Sequence, residues 1–345
     1  MPRTSGVGGM VSFQHRLAVG LKSKGIEIGY DLGEGDYQAV LVTGGTRQLA
    51  SLYRVRKKGI PVIQRLDGMN WLHRLNGIRR VGLRHFLRSE YGNWFLSIIR
   101  GHLASHLVYQ SEFVRKWWER VRGLTACPSS VIWNGVDLHE FSPQGPENPP
   151  TDRWQILIVE GSLMGGYEQG ITIAVRLIEE IGRFMSNDFA KLLELKIVGR
   201  VPSKIQERWN AYMEGKKGNP RLSLSWTGVV SSQKIPAINR SAHVLYSADI
   251  NPACPNSVIE ALACGLPVVA FDTGALSELV TSDVGLVVPY GGDPWKMEIP
   301  DIAALARASI EILNQKSDFR KAARARAEAV FAVEKMVQSY LEVLL

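Results

Sequence analysis

The sequence predicts an α/β protein built on two doubly wound parallel sheets, on three observations. Its 345 residues exceed the roughly 250–300 at which one hydrophobic core stops growing, so two domains are expected. Short apolar runs alternate with amphipathic helical segments along both halves, the rhythm of right-handed strand–helix–strand units. One stretch, Asn256 to Val280, spells such a unit out. Asn256 is placed to cap a helix, and Ile259, Leu262 and Ala263 give that helix an apolar face. Gly265 then ends it and Pro267 forbids its continuation. Val268 to Phe271 forms a strand covered on both faces, and Glu278 lies in the next short helix. Open α/β sheets bind ligands where strands end and helices begin, which places Glu260 and Glu278 near such an edge.

Composition narrows the class. Hydrophobic residues make up 45% and charged residues 21%, as in an ordinary globular protein. Cys127, Cys254 and Cys264 lack metal-ligand spacing and are too few for a disulfide framework, which points to a reducing cytoplasm. No apolar run reaches the roughly 18 residues of a membrane span, and no signal-peptide core opens the chain. Charge is uneven. Met1 to Gly145 holds 20 Lys and Arg against 10 Asp and Glu, while the remainder holds 21 against 23. An anionic partner is therefore expected for the first half.

In that half, Gly6, Gly8 and Gly9 open an amphipathic helix from about Val11 to Lys24. Such a turn offers free N–H groups to an anion, although only Met1 to Ser5 stand where the motif demands a strand. Strands are read at Ile26–Tyr30, Gln38–Val42 and Pro61–Leu66, the last running into Arg65-Leu66-Asp67-Gly68. Asp67 is either a residue of the binding edge or a turn aspartate before Gly68. From Trp71 to His102 arginines mix with aromatics and Glu90 is the only acid; Arg80, Arg84 and Arg88 recur at intervals of four, read as one helical stripe. Three readings fit: an anionic membrane surface, an anionic acceptor, or plain solvated surface. No nucleic-acid motif accompanies the cluster. A strand at His106–Tyr109, a helix capped by Ser111 and a strand at Ser130–Trp133 follow.

The last of these strands runs into Asn134-Gly135-Val136-Asp137, then Phe141 and Pro143. This order resembles family 4 glycosyltransferases of the GT-B fold, in which a strand leads into I-x-N-G-V-D-x-x-x-F-x-P. With the Asn256–Val280 stretch, the resemblance covers nearly the whole chain. It implies two Rossmann-like domains facing across a cleft: residues 1–145 on the acceptor side, 146–322 for the nucleotide sugar, and a C-terminal helix, 323–345, returning to the first domain. The Pro-rich segment from Pro143 to Pro150 is read as the linker. The second half repeats the winding, with strands at Gln155–Val159, Leu195–Val198, Leu222–Trp226 and His243–Tyr246 and helices near Ile171–Met185 and Ser231–Ser241.

The resemblance implies a retaining, metal-independent transferase. It would move a sugar from a nucleotide-diphosphate sugar to a glycan or lipid-linked acceptor in surface polysaccharide synthesis, with no cofactor and no nucleic acid. Separately from the resemblance, cysteine usage places the protein in the cytoplasm, and the composition of Trp71–His102 adds peripheral contact with the inner face of the plasma membrane as an expectation. The family marks its donor site with two glutamates that have seven residues between them. Glu260 matches the second, which holds the ribose; Pro252 stands at the first, with Asp249 or Asn251 as nearby substitutes. Asn256 and Ser257 flank the donor, and Glu278 matches the acid of G-G-x-x-E, with Ala275 for the second glycine. The Arg and Lys that grip the diphosphate are replaced by Ser162 and Gln169. Phosphate binding then falls to the N–H groups at Gly8, Gly9, Gly165 and Gly166, with Arg65 or Arg200 supplying charge. Asp67 and Glu260 are the expected catalytic pair. These departures also fit a degenerate member that binds a nucleotide sugar or a partner without turnover.

Overall fold

The computed structural model describes residues 8–33, 36–164, 168–185, 191–215 and 221–345, with the backbone alone at 80, 81, 316 and 317. The chain divides into two compact units. One runs up to Gly135 and takes in Val333–Leu345; the other is Val136–Ala332. The divisions therefore fall outside the expected 145/146 and 322/323. The Pro-rich segment belongs to the second unit because Arg240 holds it there, donating from Nη2 to Glu147 at 2.6 Å and from Nη1 to the Ser142 carbonyl at 3.1 Å.

The first unit contains α1 (Gly9–Ser23), β1 (Val40–Thr43), α2 (Leu49–Lys57), β2 (Val62–Leu66), α3 (Leu72–Val81), α4 (Leu83–Ile98), β3 (His106–Tyr109), α5 (Glu112–Arg122) and β4 (Ser129–Val131). A π turn, Ile99–Leu103, continues α4. The four strands are parallel and lie in sequence order. Alternate strand residues face opposite sides of a sheet. Leu41, Ile63 and Val108 meet Phe13, Leu17 and Leu21 of α1 together with Met336, Val337 and Tyr340 of the final helix. Val40, Val42 and Val62 meet Leu52, Val55, Ile99 and Leu103 on the other side.

Three expectations change here. Ile26–Tyr30 is not a strand; Ile26 and Ile28 instead lie against the α1 side of the core as part of a connection. Ser130–Trp133 shortens to β4. The single basic helix is two helices, because Gly82 takes a left-handed φ of 79° and Gly77 one of 67°. The interval-of-four stripe is thus broken between Arg80, whose side chain lies outside the described residues, and Arg84. Ser111 does cap α5, its hydroxyl accepting from the Val114 N–H at 3.2 Å.

The second unit contains β5 (Arg153–Ser162), α6 (Gln169–Phe184), β6 (Leu192–Arg200), α7 (Ser203–Gly215), β7 (Leu222–Gly228), α8 (Ile235–Arg240), β8 (Val244–Tyr246), α9 (Asn256–Ala263), β9 (Val268–Phe271), α10 (Leu276–Leu279), β10 (Gly285–Val288), α11 (Ile302–Asn314) and α12 (Lys316–Val330); α13 (Val333–Leu344) returns to the first unit. Its six parallel strands run in the order β10-β9-β8-β5-β6-β7. From β5 the chain winds outward through β6 and β7, then restarts on the other flank with β8. The strand order reverses between β5 and β8.

The stretch around α9 keeps its predicted form with one correction. Asn256 is the first helical residue and Pro255 takes the capping place, since a proline ring pre-sets the extended entry. Gly265 ends the helix at φ 69°, its N–H reaching Leu262 at 2.9 Å while the Leu266 N–H reaches Ala261 at 2.8 Å. Every residue of β9 is buried.

Candidate functional site

Each unit gathers polar side chains at the C-terminal edge of its own sheet. In the first, Arg65, one residue before the end of β2, is almost wholly buried, at 1% exposure. Burial of a guanidinium is costly unless it is paired and hydrogen-bonded. Arg65 donates from Nη1 to Asp67 Oδ1 at 2.6 Å and from Nη2 to Asn134 Oδ1 at 2.9 Å, and its guanidinium carbon stands 3.8 Å from the centre of the Phe13 ring. Gln110 also donates to Asp67 Oδ1, and the Trp118 indole donates to the Asp67 carbonyl at 2.8 Å. Asp67 is thus held on one oxygen while its side chain stays 38% exposed. The first turn of α1 adjoins this network through Met10, whose Sδ lies 3.6 Å from Arg65 Nη1. Gly8 caps that helix with open space around its Cα. Gly8, Gly9, Arg65 and Asp67 therefore come to one edge, with Arg65 committed to its internal partners. Asn134, matched above as a motif residue, proves to be one of them.

In the second unit the reversal point of the sheet is where a doubly wound fold leaves a crevice beyond its strand ends. Glu160, near the end of β5, and Asp249, just past β8, flank it. Burial, then the negative charges of Asp249 and Glu260, push the Glu160 carboxyl well above the usual range. Burial alone raises Asp249 to about 6. Glu160 is thus close enough to the other two acids to feel their charges. Gly199 makes the geometry feasible: β5 and β6 shift register after Val159, and a Cβ at Gly199 would lie 1.9 Å from the Glu160 carbonyl. The start of α6 closes in as tightly, since a Cβ at Gly170 would lie 2.9 Å from the Ala248 carbonyl.

The remaining expected residues are distributed around this edge. Glu260 is 9% exposed on α9, with Asn256 and Ser257 half-buried in that helix's first turn. Pro252, at the place of the family's first acid, braces a neighbouring turn. It accepts from the Ala275 N–H at 2.9 Å, and a Cβ at Gly274 would lie 2.4 Å from its nitrogen. Asn251 takes a left-handed φ of 56° beside it. Glu278 is half-buried on α10. Arg200 is exposed at the end of β6, in register with Ser162. Gln169 turns aside, its amide donating to the Met297 carbonyl at 3.2 Å. Gly165 and Gly166 lie outside the described residues. Two buried polar atoms in the segment carrying Asp249, Ser247 Oγ and Asn251 Nδ2, lack a hydrogen-bond partner among the described residues. Among the described residues, no group of three or more His, Cys, Asp or Glu is arranged to hold a metal ion.

Glu160 was missed in the sequence. Its signal was present, a lone acid directly after the apolar run Ile156–Val159, but its importance depends on which strands become neighbours.

Two parallel α/β units of this kind define the GT-B class. Sucrose-phosphate synthase from Thermosynechococcus elongatus is similar at a TM-score of 0.66 and 18% identity, over 97% of this chain and 77% of that one. A glycosyltransferase from Rickettsia africae is similar at 0.63 and 15%, over 99% and 83%. HepE of Anabaena, solved in complex with UDP, is similar at 0.60 and 16%, over 88% and 78%. Comparison with curated proteins by sequence gives no match. Residues 155–315, within the second unit, match the model of the family described as glycosyl transferases group 1.

Proposed function

We propose that the protein is a retaining glycosyltransferase that uses a nucleotide-diphosphate sugar and glycosylates a glycan or lipid-linked acceptor in surface polysaccharide synthesis. The observation that carries this reading is the reversal point between β5 and β8, where Glu160 feels the charges of Asp249 and Glu260 and where Ser247 Oγ and Asn251 Nδ2 are buried without a partner among the described residues. Glu260 accepts from the ribose hydroxyls. The N–H groups at the start of α6 face the diphosphate, and Arg200 supplies a cation in place of the pair replaced by Ser162 and Gln169. Asp67, fixed on one oxygen by Arg65 and Gln110, takes the acceptor hydroxyl on the other. In the transfer, the bond from the anomeric carbon to the acceptor oxygen forms as that to the phosphate oxygen breaks. The nucleoside diphosphate leaves with the electron pair and accepts the acceptor's proton. Donor, acceptor and enzyme meet in the cytoplasm at the inner face of the plasma membrane, with no cofactor.

A second reading, binding without turnover, is favoured by the diverted Gln169 and the braced Pro252. Calorimetry with UDP- and GDP-sugars, paired with an assay for released nucleotide, separates the two. Binding with release that Glu260→Gln reduces by at least about a hundredfold, a loss within the range of one transition-state interaction, supports the transferase. Binding without release supports the second reading. No binding of any nucleotide sugar overturns the transferase and leaves the second reading only in its partner-binding form.

A further inference from the structure

A stripe of the α3 and α4 surface is apolar where a solvated pair of helices would be polar. Leu83, Leu87, Tyr91 and Trp94 follow one another at helical spacing along α4 and are each at least half exposed. Leu75 and Ile78 of α3 are exposed too. The only residue of α4 that is fully buried is Asn93, which joins the helix to Asn70 by donating to its carbonyl at 2.8 Å. Glu90 fastens the two helices, accepting from Arg74 Nη2 at 2.8 Å and lying 2.8 Å from His73 Nε2. These ties keep the stripe turned outward.

Beside the stripe lies an open cavity of about 640 Å³, lined by Arg47, Arg84, Arg88 and Glu90 together with the leucine and aromatic side chains. Its only acid is the one already taken by Arg74 and His73. Among the described residues, no carboxylate pairs with Arg47, Arg84 or Arg88. Tyr91 and Trp94 stack at 5.9 Å, an arrangement suited to the boundary between headgroups and acyl chains.

We infer that this face docks on an anionic lipid bilayer, with the leucines and aromatics in the acyl boundary and the arginines on the headgroups. The charge selects the occupant. A second copy would bring the same arginines together, and nucleic acid would meet the arginines but leave the leucines uncovered. A bilayer satisfies both. No described helix is long and apolar enough to cross a membrane, so the contact is interfacial. The α4 helix also reaches the sheet edge near Asp67, Gln64 donating to the Leu96 carbonyl at 3.2 Å. On the transfer reading above, docking would therefore present a lipid-linked acceptor to that edge.

The test is flotation of the full chain with vesicles of phosphatidylcholine alone or mixed with phosphatidylglycerol, at low and high salt. Flotation is expected only with phosphatidylglycerol and is expected to weaken with salt. An arginine near an anionic leaflet is worth about a fivefold gain in partition. Arg84→Glu with Arg88→Glu should therefore lower flotation by more than about tenfold. Leu83→Ser with Leu87→Ser should lower it with little change in its salt dependence. Absence of flotation, equal flotation with neutral vesicles, or flotation unaffected by both double variants overturns the inference. Nucleotide-sugar binding by the same variants reports on the transfer reading separately, because these residues lie outside the second unit.

Discussion

Asp67, at the edge of the first sheet, has the Arg65 guanidinium at 2.6 Å, whereas Glu160, at the edge of the second, is surrounded by the charges of Asp249 and Glu260. In the first arrangement Asp67 Oδ1 finds its partners in Arg65 and Gln110, and the one buried atom of the pair without a partner among the described residues is Arg65 Nε. The second holds negative charge that burial and its neighbours make unfavourable, alongside hydroxyl and amide groups with nothing to bind. A site that waits for a ligand is expected to look like the second, because groups left unpartnered by folding are those a ligand can engage. The first resembles a positioning device, with one carboxylate oxygen fixed and the rest of the group open.

Removing a charge should therefore act in opposite directions at the two edges. The largest effect is expected from Asp67→Ala, which takes a partner from the buried Arg65 and should cost about 3 kcal/mol in urea unfolding, the low end for a broken buried pair because the Asp67 side chain is 38% exposed. An unchanged midpoint would show that Asn134 and Phe13 suffice. Gly199→Ala comes next. Its Cβ cannot fit against the Glu160 carbonyl, and a loss of about 2–3 kcal/mol in the same measurement is expected from the enforced strain.

Asp249→Asn tests the other direction. A carboxyl whose folded pKa is raised to about 6 costs stability once pH passes its ordinary value, so stability falls from about pH 4 to about 6 and stays low above. The variant should gain about 1–3 kcal/mol at neutral pH and nothing well below pH 4, from a shift of about two units. By the same sign, nucleotide-diphosphate affinity should weaken several-fold as pH rises through about 6, and the variant should flatten that slope. Glu90→Gln should show the smallest effect. The Arg74 hydrogen bond, aided by His73, holds this carboxyl down at about 2, so its contribution is present above the ordinary carboxylate range and lost as pH falls toward 2. Arg74 is half exposed, so about 0.5–1 kcal/mol is expected at neutral pH.

The parallel winding of both sheets was legible because it is written locally, in apolar runs such as Val268–Phe271 and in stops such as Gly265. Gly82 was equally local, but a helical interval in the arginines masked it. Ile26 and Ile28 looked like strand residues, yet two apolar side chains can serve a packed connection just as well. Asn256 lost the capping place to Pro255, a competition between neighbours that propensity alone does not decide. Glu160 was beyond reach for a different reason. Its meaning comes from β8 settling beside β5, across more than eighty residues of intervening chain, and nothing near it announces that neighbour.

Because α13 closes the core of Phe13, Leu17 and Leu21 from the far end of the sequence, the first unit cannot be finished during synthesis until Val333–Leu345 has left the ribosome. The second unit is continuous in the chain and has no such dependence. The domain begun first is therefore the one completed last, and until then Phe13, Leu17 and Leu21 rest on the sheet alone, without the Met336, Val337 and Tyr340 side chains that complete their core.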